Sequence, residues 1–172
     1  LQHKRPDWAH VDPRLMYWAA LFVEYARKRN IPLYVHCALR GAAEQDRLVA
    51  EGRSKAPYPR SAHNIGEAVD IVHGRFHWSM TDKEWALLGV LGRLALDRVN
   101  AQLPKAGKLA LNWGGYDGPQ DRFAWDPAHW EIADYRQRVR ELPPAEPRHM
   151  SPRYILKHHR VPLRGPKPLV GF

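Results

Sequence analysis

The sequence predicts a single α+β domain in which helices flank a small, mainly antiparallel sheet. Helical and strand periodicities are interspersed along the first 142 residues, and the connections between them are too uneven for regular βαβ units. The hydrophobic share of 44% and the charged share of 26% in 172 residues are typical of a globular chain. We therefore predict a domain over 1–142, followed by a tail over 143–172.

The predicted elements rest on capping and periodicity signals. Asp12 followed by Pro13 is typical of a helix start, and Thr81 or Asp82 can cap a longer helix. The predicted buried stripe of that longer helix consists of Trp85, Leu88, Leu91 and Leu94. In chain order we expect a helix from Pro13 to about Arg29, a strand over 31–39, a helix over 42–51, a strand over 68–72, a helix from Asp82 to about Leu103, strands over 109–113 and 129–132, and a helix over 133–142.

The composition changes after residue 142. Seven prolines and six Lys or Arg residues accompany one acid, Glu146, and no helical or strand period persists. This composition predicts an extended, basic, proline-rich tail. The net charge of +9 predicts a polyanionic partner, and an anionic cell-envelope surface is the partner that we consider for the tail. Nucleic acid ranks last, because no recognition motif accompanies the charge.

Several classes of protein are excluded or disfavoured. No apolar run approaches the ~18 residues of a membrane span. Leu1 to His10 lacks the apolar core of a secretory signal, although the chain also lacks an initiating Met, so export stays open. Cys37 is the lone cysteine, which excludes an internal disulfide and a multi-cysteine zinc knuckle. Its apolar surroundings favour a buried, inert thiol over a catalytic one.

Two segments carry residues suited to metal chemistry. His63 lies in a predicted loop and Asp70 in a strand, and Gly66 between them permits a tight reversal that could bring both side chains to one point. His129 offers a further ligand, and Asp126 lies three residues earlier on a turn that contains Pro127. A carboxylate beside a metal can accept a proton from water that the metal activates. Taken pairwise, these spacings are weak signals, and solvated surface residues remain the alternative.

Three further side chains are candidates at the same place. Arg40 follows the first predicted strand, and a guanidinium there can bind a carboxylate or a developing oxyanion; a surface arginine is the alternative. Strand alternation puts Glu131 on the face of His129, where it can orient that ligand without touching the metal; a solvated acid at the strand end is the alternative. Trp113, Trp125 and Trp130 bracket the expected site, and they either line a cleft or fill the core beneath it.

The combined pattern resembles a known family. Ser61-x-His63-x-x-Gly66-x-Ala68-Val69-Asp70 followed by Asp126-x-x-His129-Trp130-Glu131 is similar to the zinc peptidases that include D-Ala-D-Ala carboxypeptidases and L-alanyl-D-glutamate endopeptidases, peptidase family M15. Leu39-Arg40 with Glu44-Gln45 resembles the stretch that carries the active-site arginine of that family, and Trp113-Gly114-Gly115 resembles its tryptophan-glycine pair. Leu39 departs from the small-aromatic pattern that usually precedes the arginine.

The resemblance implies a zinc-dependent peptidoglycan peptidase with one Zn²⁺ per chain. It assigns His63, Asp70 and His129 as zinc ligands and Asp126 as the general base. It further assigns Arg40 as the catalytic and substrate contact and Ser61 as a substrate-binding residue. From their positions beside the expected site, we add Trp113 and Trp130 as substrate-binding residues and Glu131 as the residue that orients a ligand. An Asp at 126 is similar to the VanY-like and phage endolysin branch.

The resemblance also implies an activity and a place of action. We expect an L-alanyl-D-glutamate endopeptidase that degrades bacterial peptidoglycan; D-Ala-D-Ala carboxypeptidase or dipeptidase activity is the alternative within the class. A non-catalytic zinc module that binds the wall or forms part of a virion is the alternative of another class. Action at the cell wall, in the periplasm or outside the cell, follows from the substrate, and a phage-encoded enzyme released at lysis is one route there without a signal peptide.

Overall fold

The computed structural model describes residues 6–117 and 124–142. It contains helices α1 (Pro13–Arg27), α2 (Ala42–Ala50), α3 (Asp82–Asn100) and α4 (Tyr135–Glu141), strands β1 (Leu33–Cys37), β2 (Ala68–His73), β3 (Leu111–Trp113) and β4 (His129–Ile132), and 3-10 helices over Ala62–Ile65 and Lys105–Gly107. The four strands form one sheet in the order β1-β2-β4-β3, and every pair is antiparallel. The predicted α+β class with a small antiparallel sheet is thus confirmed. The predicted tail, 143–172, lies outside the described residues.

Helix starts follow the capping chemistry that the sequence indicated. The Asp12 side chain accepts a hydrogen bond from the backbone of Arg14, and Pro13 occupies the first turn of α1. Thr81 caps α3 in a reciprocal capping box with Glu84, so the first of the two predicted caps is the one used. Both devices satisfy backbone N–H groups that a helix start otherwise leaves without partners.

The main core lies between the sheet and the helices α1 and α3. Trp18 and Phe22 of α1 pack on Trp130 of β4, with ring centroids 5.0 and 5.9 Å from the Trp130 ring. The Trp130 ring in turn stacks on Trp113 at 5.5 Å. These large rings fill the space between the layers and anchor both helices on one face of the sheet.

The stripe of α3 differs from the prediction at one position. Trp85, Leu88 and Leu91 are buried as expected, but Leu94 is 47% exposed. Gly89 and Gly92 take part in the buried face instead: a Cβ on Gly89 would lie 2.6 Å from the Trp113 ring, and one on Gly92 would lie 2.6 Å from the Trp130 ring. The helix therefore contacts the indole pair through backbone, and this shifts its buried face away from Leu94.

Within the described residues, no helix combines the length and the apolar character that crossing a bilayer requires.

Candidate metal centre

The candidate site lies on the sheet face opposite α1 and α3. In the β2–β4 ladder, Asp70 pairs with His129 and Val69 pairs with Trp130. Because successive side chains of a strand point to opposite faces, the pair that includes Trp130 faces the helices and the Asp70–His129 pair faces away from them. A register irregularity in β1 sets Cys37 opposite Asp70 on the other side of β2.

Three potential ligand atoms converge at this place. Asp70 Oδ1 lies 3.2 Å from His63 Nε2 and 3.0 Å from His129 Nδ1, and the two imidazole nitrogens are 3.2 Å apart. A tetrahedral zinc site with bonds of about 2.0–2.1 Å has ligand atoms roughly 3.3 Å apart. The triangle of donors therefore fits the size of a zinc coordination sphere, and its chemistry of two imidazoles and one carboxylate fits zinc as well.

The remaining imidazole nitrogens have partners that direct the converging nitrogens inward. His63 Nδ1 lies 2.8 Å from the carbonyl oxygen of Ala38 and donates to it, which leaves Nε2 with a lone pair. His129 Nε2 lies 3.1 Å from Glu131 Oε2 and donates to that carboxylate, which leaves Nδ1 with a lone pair. Three lone-pair atoms at this separation repel one another unless a proton or a cation lies between them.

The electrostatics of the site favour that positive charge. Burial disfavours the charged form of His63, but the carboxylate of Asp70 and the sulfur of Cys37 together outweigh burial and raise the pKa of His63 to about 10. Burial likewise opposes the charged forms of His129 and Asp70; hydrogen bonds with Asp70 and Glu131 nonetheless raise the pKa of His129, and the two histidines hold the pKa of Asp70 well below its usual range. A divalent cation can replace the protons that the metal-free site retains.

The 3-10 helix Ala62–Ile65 delivers His63 to this point. The Ser61 side chain accepts from the backbone N–H of His63, and the Asn64 side chain accepts in return from the Ser61 backbone N–H. Gly66 then reverses the chain with a φ of +71°, which L residues with side chains rarely adopt, and a Cβ there would collide with the backbone of His10. Ser61 and Gly66 thus determine the course of the backbone that positions His63. Ser61 also lines the groove beside His63.

Asp126 lies at the site because its backbone contacts the backbone of Gly114, just after β3. Its backbone N–H donates to the carbonyl of Gly114, and a Cβ on Gly114 would collide with the carbonyl of Asp126. One carboxylate oxygen of Asp126 lies within 4.8 Å of ligand atoms of both Asp70 and His129. Burial, aided by the charge of Asp70, raises the pKa of the Asp126 carboxyl, which makes its carboxylate a better proton acceptor.

Arg40 extends toward the same carboxylate. Its guanidinium donates to Gln45 Oε1 at 3.2 Å, and it lies 3.5 Å from Asp70 Oδ2 and 3.6 Å from Cys37 Sγ. Its Nε–H is buried and has no hydrogen-bond partner among the described residues. Arg40 is thus a largely buried cation at the edge of the donor triangle, held by an amide rather than by a close ion pair.

The site includes residues whose place the sequence analysis missed. Gln45 is fully buried and donates to Ser54 Oγ and to the carbonyl of Ala56, while it accepts from Arg40. The available signal for Gln45 was its place on the predicted helix after Arg40, at a spacing consistent with burial. Cys37 is only partly buried, and its Sγ lies 3.7 Å from His63 Nδ1, so the expected inert thiol borders the donor triangle. The β1 irregularity that places it there has no signature in the sequence.

The tryptophans divide between core and groove. Trp113 and Trp130 are 6% and 3% exposed, pack against α3, and do not line the groove that contains the donor triangle. This differs from the expectation that both contact substrate. Trp125, 68% exposed, and Trp78, 45% exposed, line that groove instead. The groove has a volume of about 630 Å³, which is within the range of ligand sites.

No protein-family model and no curated protein matches the chain. Among solved structures, the L-Ala D-Glu endopeptidase ChiX of Serratia marcescens is similar: it shares 25% identity with a TM-score of 0.55, over 77% of this chain and 94% of that one. The fold of the chain is therefore similar to that of an L-Ala D-Glu endopeptidase.

Proposed function

We propose that this protein is a zinc-dependent peptidoglycan peptidase that cleaves the L-Ala–D-Glu bond of the stem peptide. The observation that carries the proposal is the triangle of His63 Nε2, Asp70 Oδ1 and His129 Nδ1, with sides of 3.0 to 3.2 Å. The likeness to the endopeptidase ChiX supports the substrate class and the bond. Three protein ligands are the usual number in catalytic zinc sites, which leave one position open.

The proposal gives each side chain a role. His63, Asp70 and His129 hold the ion, and Glu131 orients His129 through its Nε2–H. Zinc in such a site polarises a carbonyl group and activates water. Asp126, whose pKa is raised by burial, accepts the proton of the attacking water and passes it to the leaving amine. The Arg40 guanidinium offsets the negative charge that develops on the scissile carbonyl oxygen.

The open groove favours a catalytic metal site that accepts a peptide substrate over a purely structural one. Asp126 lies close to the triangle, and the three ligands and Asp126 all line the open groove. A structural zinc site is normally closed by a fourth protein ligand. Cys37 Sγ lies near His63 and Asp70, and its thiolate is the candidate for a fourth ligand that would close the site. Metal content and spectroscopy of Cys37→Ser distinguish the two forms, because an open site keeps its zinc without the thiol.

The test is metal content together with cleavage of purified muropeptides, with wild type beside Asp126→Asn. We expect one zinc per chain in both proteins and a loss of about 10²- to 10⁴-fold in kcat for the variant, the usual contribution of a general base. Asp97→Asn, an exposed site on α3 outside the groove, is the matched control and should retain full activity. Loss of zinc in Asp126→Asn would make that residue a ligand instead of the base.

Product identity tests the bond. Mass spectrometry should show peptides that begin with D-Glu and no release of D-Ala. Release of D-Ala or D-Ala-D-Ala would replace the endopeptidase proposal with carboxypeptidase or dipeptidase activity. Stoichiometric zinc without cleavage of any muropeptide would favour a non-catalytic zinc module.

A further inference from the structure

The charges of the groove differ between the donor triangle and its surroundings. Near the triangle lie the acidic residues Asp70, Asp126 and Glu131, together with Arg40. The other charged residues that line the groove, within the described part of the chain, are Arg53, Lys55 and Arg136. All three are basic, so among the described residues the groove away from the donor triangle presents only positive charge. A peptide that carries carboxylates beside the scissile bond is complementary to this arrangement.

Arg136 contacts the aromatic side chain of its neighbour Tyr135. Its Nε–H donates to the hydroxyl of Tyr135 at 3.3 Å, and its guanidinium carbon lies 5.6 Å from the centroid of the Tyr135 ring. Stacking on an aromatic ring orients the planar guanidinium and leaves its terminal N–H groups available. A side chain that is already oriented loses less conformational entropy when it binds a ligand.

Tyr135 connects Arg136 to the segment that carries His63. It is buried at 9% exposure in a small apolar cluster with Ala62 and Ile65, the ends of the 3-10 helix that contains His63. The hydrogen bond with Tyr135 is the main cause of the raised pKa of the Arg136 guanidinium, and the charge of Glu131, the partner of His129, adds to it. Through Tyr135, Arg136 thus contacts a residue that packs on the segment carrying His63.

Arg136 has no carboxylate partner within residues 6–117 and 124–142, whereas Arg53 is paired with Glu51 at 3.2 Å. The other basic residues of α4 illustrate the contrast. Arg138 is tied to Glu67 and Asp134, and Arg140 lies on the exposed side of the helix away from the groove. Arg136 therefore combines a position in the groove, a contact with Tyr135 that orients its guanidinium, and the absence of an ion pair with any described carboxylate.

We propose that Arg136 is a specificity-determining residue that binds a free carboxylate of the stem peptide, next to the bond that is cleaved. The inference rests on the proposed function, because it takes the groove to be the substrate site. It names the preferred substrate as the acidic peptide whose D-Glu carries a free carboxylate, over the peptide in which that group is a carboxamide.

The experiment compares two peptides and three proteins. The peptides are L-Ala–D-Glu stem peptides with the free carboxylate and with the carboxamide; the proteins are the zinc-loaded wild type, Arg136→Gln and Arg140→Gln. We expect the carboxamide to raise the KM of the wild type about 3- to 10-fold with little change in kcat, the range for a partly exposed, charge-assisted contact. In Arg136→Gln the two peptides should have equal KM values. Arg140→Gln should keep the preference of the wild type.

Two further measurements separate the possible failures. Binding of both peptides to Asp126→Asn, by isothermal titration calorimetry, reports the preference independently of turnover. Arg136→Lys should keep part of it, because the charge remains while the planar donor pair is lost. If the wild type cleaves the peptides and Arg136→Gln still prefers the free carboxylate, the contact with Arg136 is contradicted but the proposed function is not. Absence of both cleavage and peptide binding in the wild type contradicts the proposed function and, with it, this contact.

Discussion

The two faces of the sheet carry neighbouring residues in opposite environments, one apolar and one polar. Trp130 and His129 are adjacent in β4, yet the first packs between Trp18, Phe22 and Trp113, and the second meets a carboxylate and another imidazole. On the helix face, aromatic rings and glycines pack closely, so the fit of their shapes determines stability. On the groove face, electrostatic interactions dominate, since buried polar atoms need partners or a cation. Substitutions on the helix face should therefore change stability, and those on the groove face should change metal binding and turnover.

The sharpest test of this contrast is Trp130→Ala. Removal of a buried indole that contacts three other aromatic rings should lower the free energy of unfolding by about 3–5 kcal/mol. Asp126→Asn, on the other face, should change it by less than about 1 kcal/mol. Urea unfolding of the metal-free proteins, monitored by circular dichroism, measures both. Equal losses in the two variants would contradict the division between the faces.

Zinc should stabilise the protein through the groove face alone. At a free zinc concentration of 100 times Kd, binding to the folded state adds about 2.7 kcal/mol to the free energy of unfolding. A chelator should remove this increment and lower the Tm of the wild type. His63→Ala should lack the response, while Leu94→Ala, an exposed position on the helix side, should keep it. A zinc response of full size in His63→Ala would exclude that residue as a ligand.

Glu131→Gln tests the hydrogen bond behind His129. Because Glu131 holds the Nε2–H of His129, its neutralisation should weaken zinc binding by about 10- to 100-fold. Competition with a chromophoric chelator measures the affinity. Glu141→Gln, an exposed acid at the end of α4, is the control for the loss of one charge. An unchanged affinity in Glu131→Gln would show that the carboxylate does not act through the histidine.

The smallest expected effect concerns the fit of α3 on the indoles. Gly92→Ala places a methyl group 2.6 Å from the Trp130 ring, which is enclosed by other rings and cannot move freely. We expect a loss of about 1 kcal/mol in the free energy of unfolding, with zinc affinity unchanged. Gly41→Ala, whose Cβ would meet nothing within 4 Å, should cost less than about 0.5 kcal/mol. Similar losses at the two positions would contradict close packing at Gly92.

Most element positions could be predicted from local signals. Proline at a first helical turn, a Thr-x-x-Glu box and alternating apolar residues act within a few residues of one another, so they are visible in the sequence. The error at Leu94 has a tertiary cause. A glycine lacks the apolar side chain by which a buried position is recognised, and Gly89 and Gly92 are buried only because indole rings from β3 and β4 lie against them.

The candidate site shows the same division. The residue types at 63, 70, 126 and 129 were weak signals by themselves, and the resemblance of the combined motifs to a zinc peptidase family predicted a metal centre and a nearby acid. Whether the side chains meet depends on strand register and loop contacts: the pairing of Asp70 with His129, and the close approach of Gly114 to the backbone of Asp126. The uncertain roles of Trp113 and Trp130 depended equally on which face of the sheet the helices cover.

By itself, the sequence determined the chemistry that is available: two imidazoles, the carboxylates and an arginine, on elements whose local patterns specify their type. Only the tertiary structure decided which of these groups share a face and a distance of about 3 Å. The physical reason is that hydrogen bonds and metal ligation act over a few ångströms. Such distances are set by contacts between segments as far apart as 63 and 129, and local patterns do not encode those contacts.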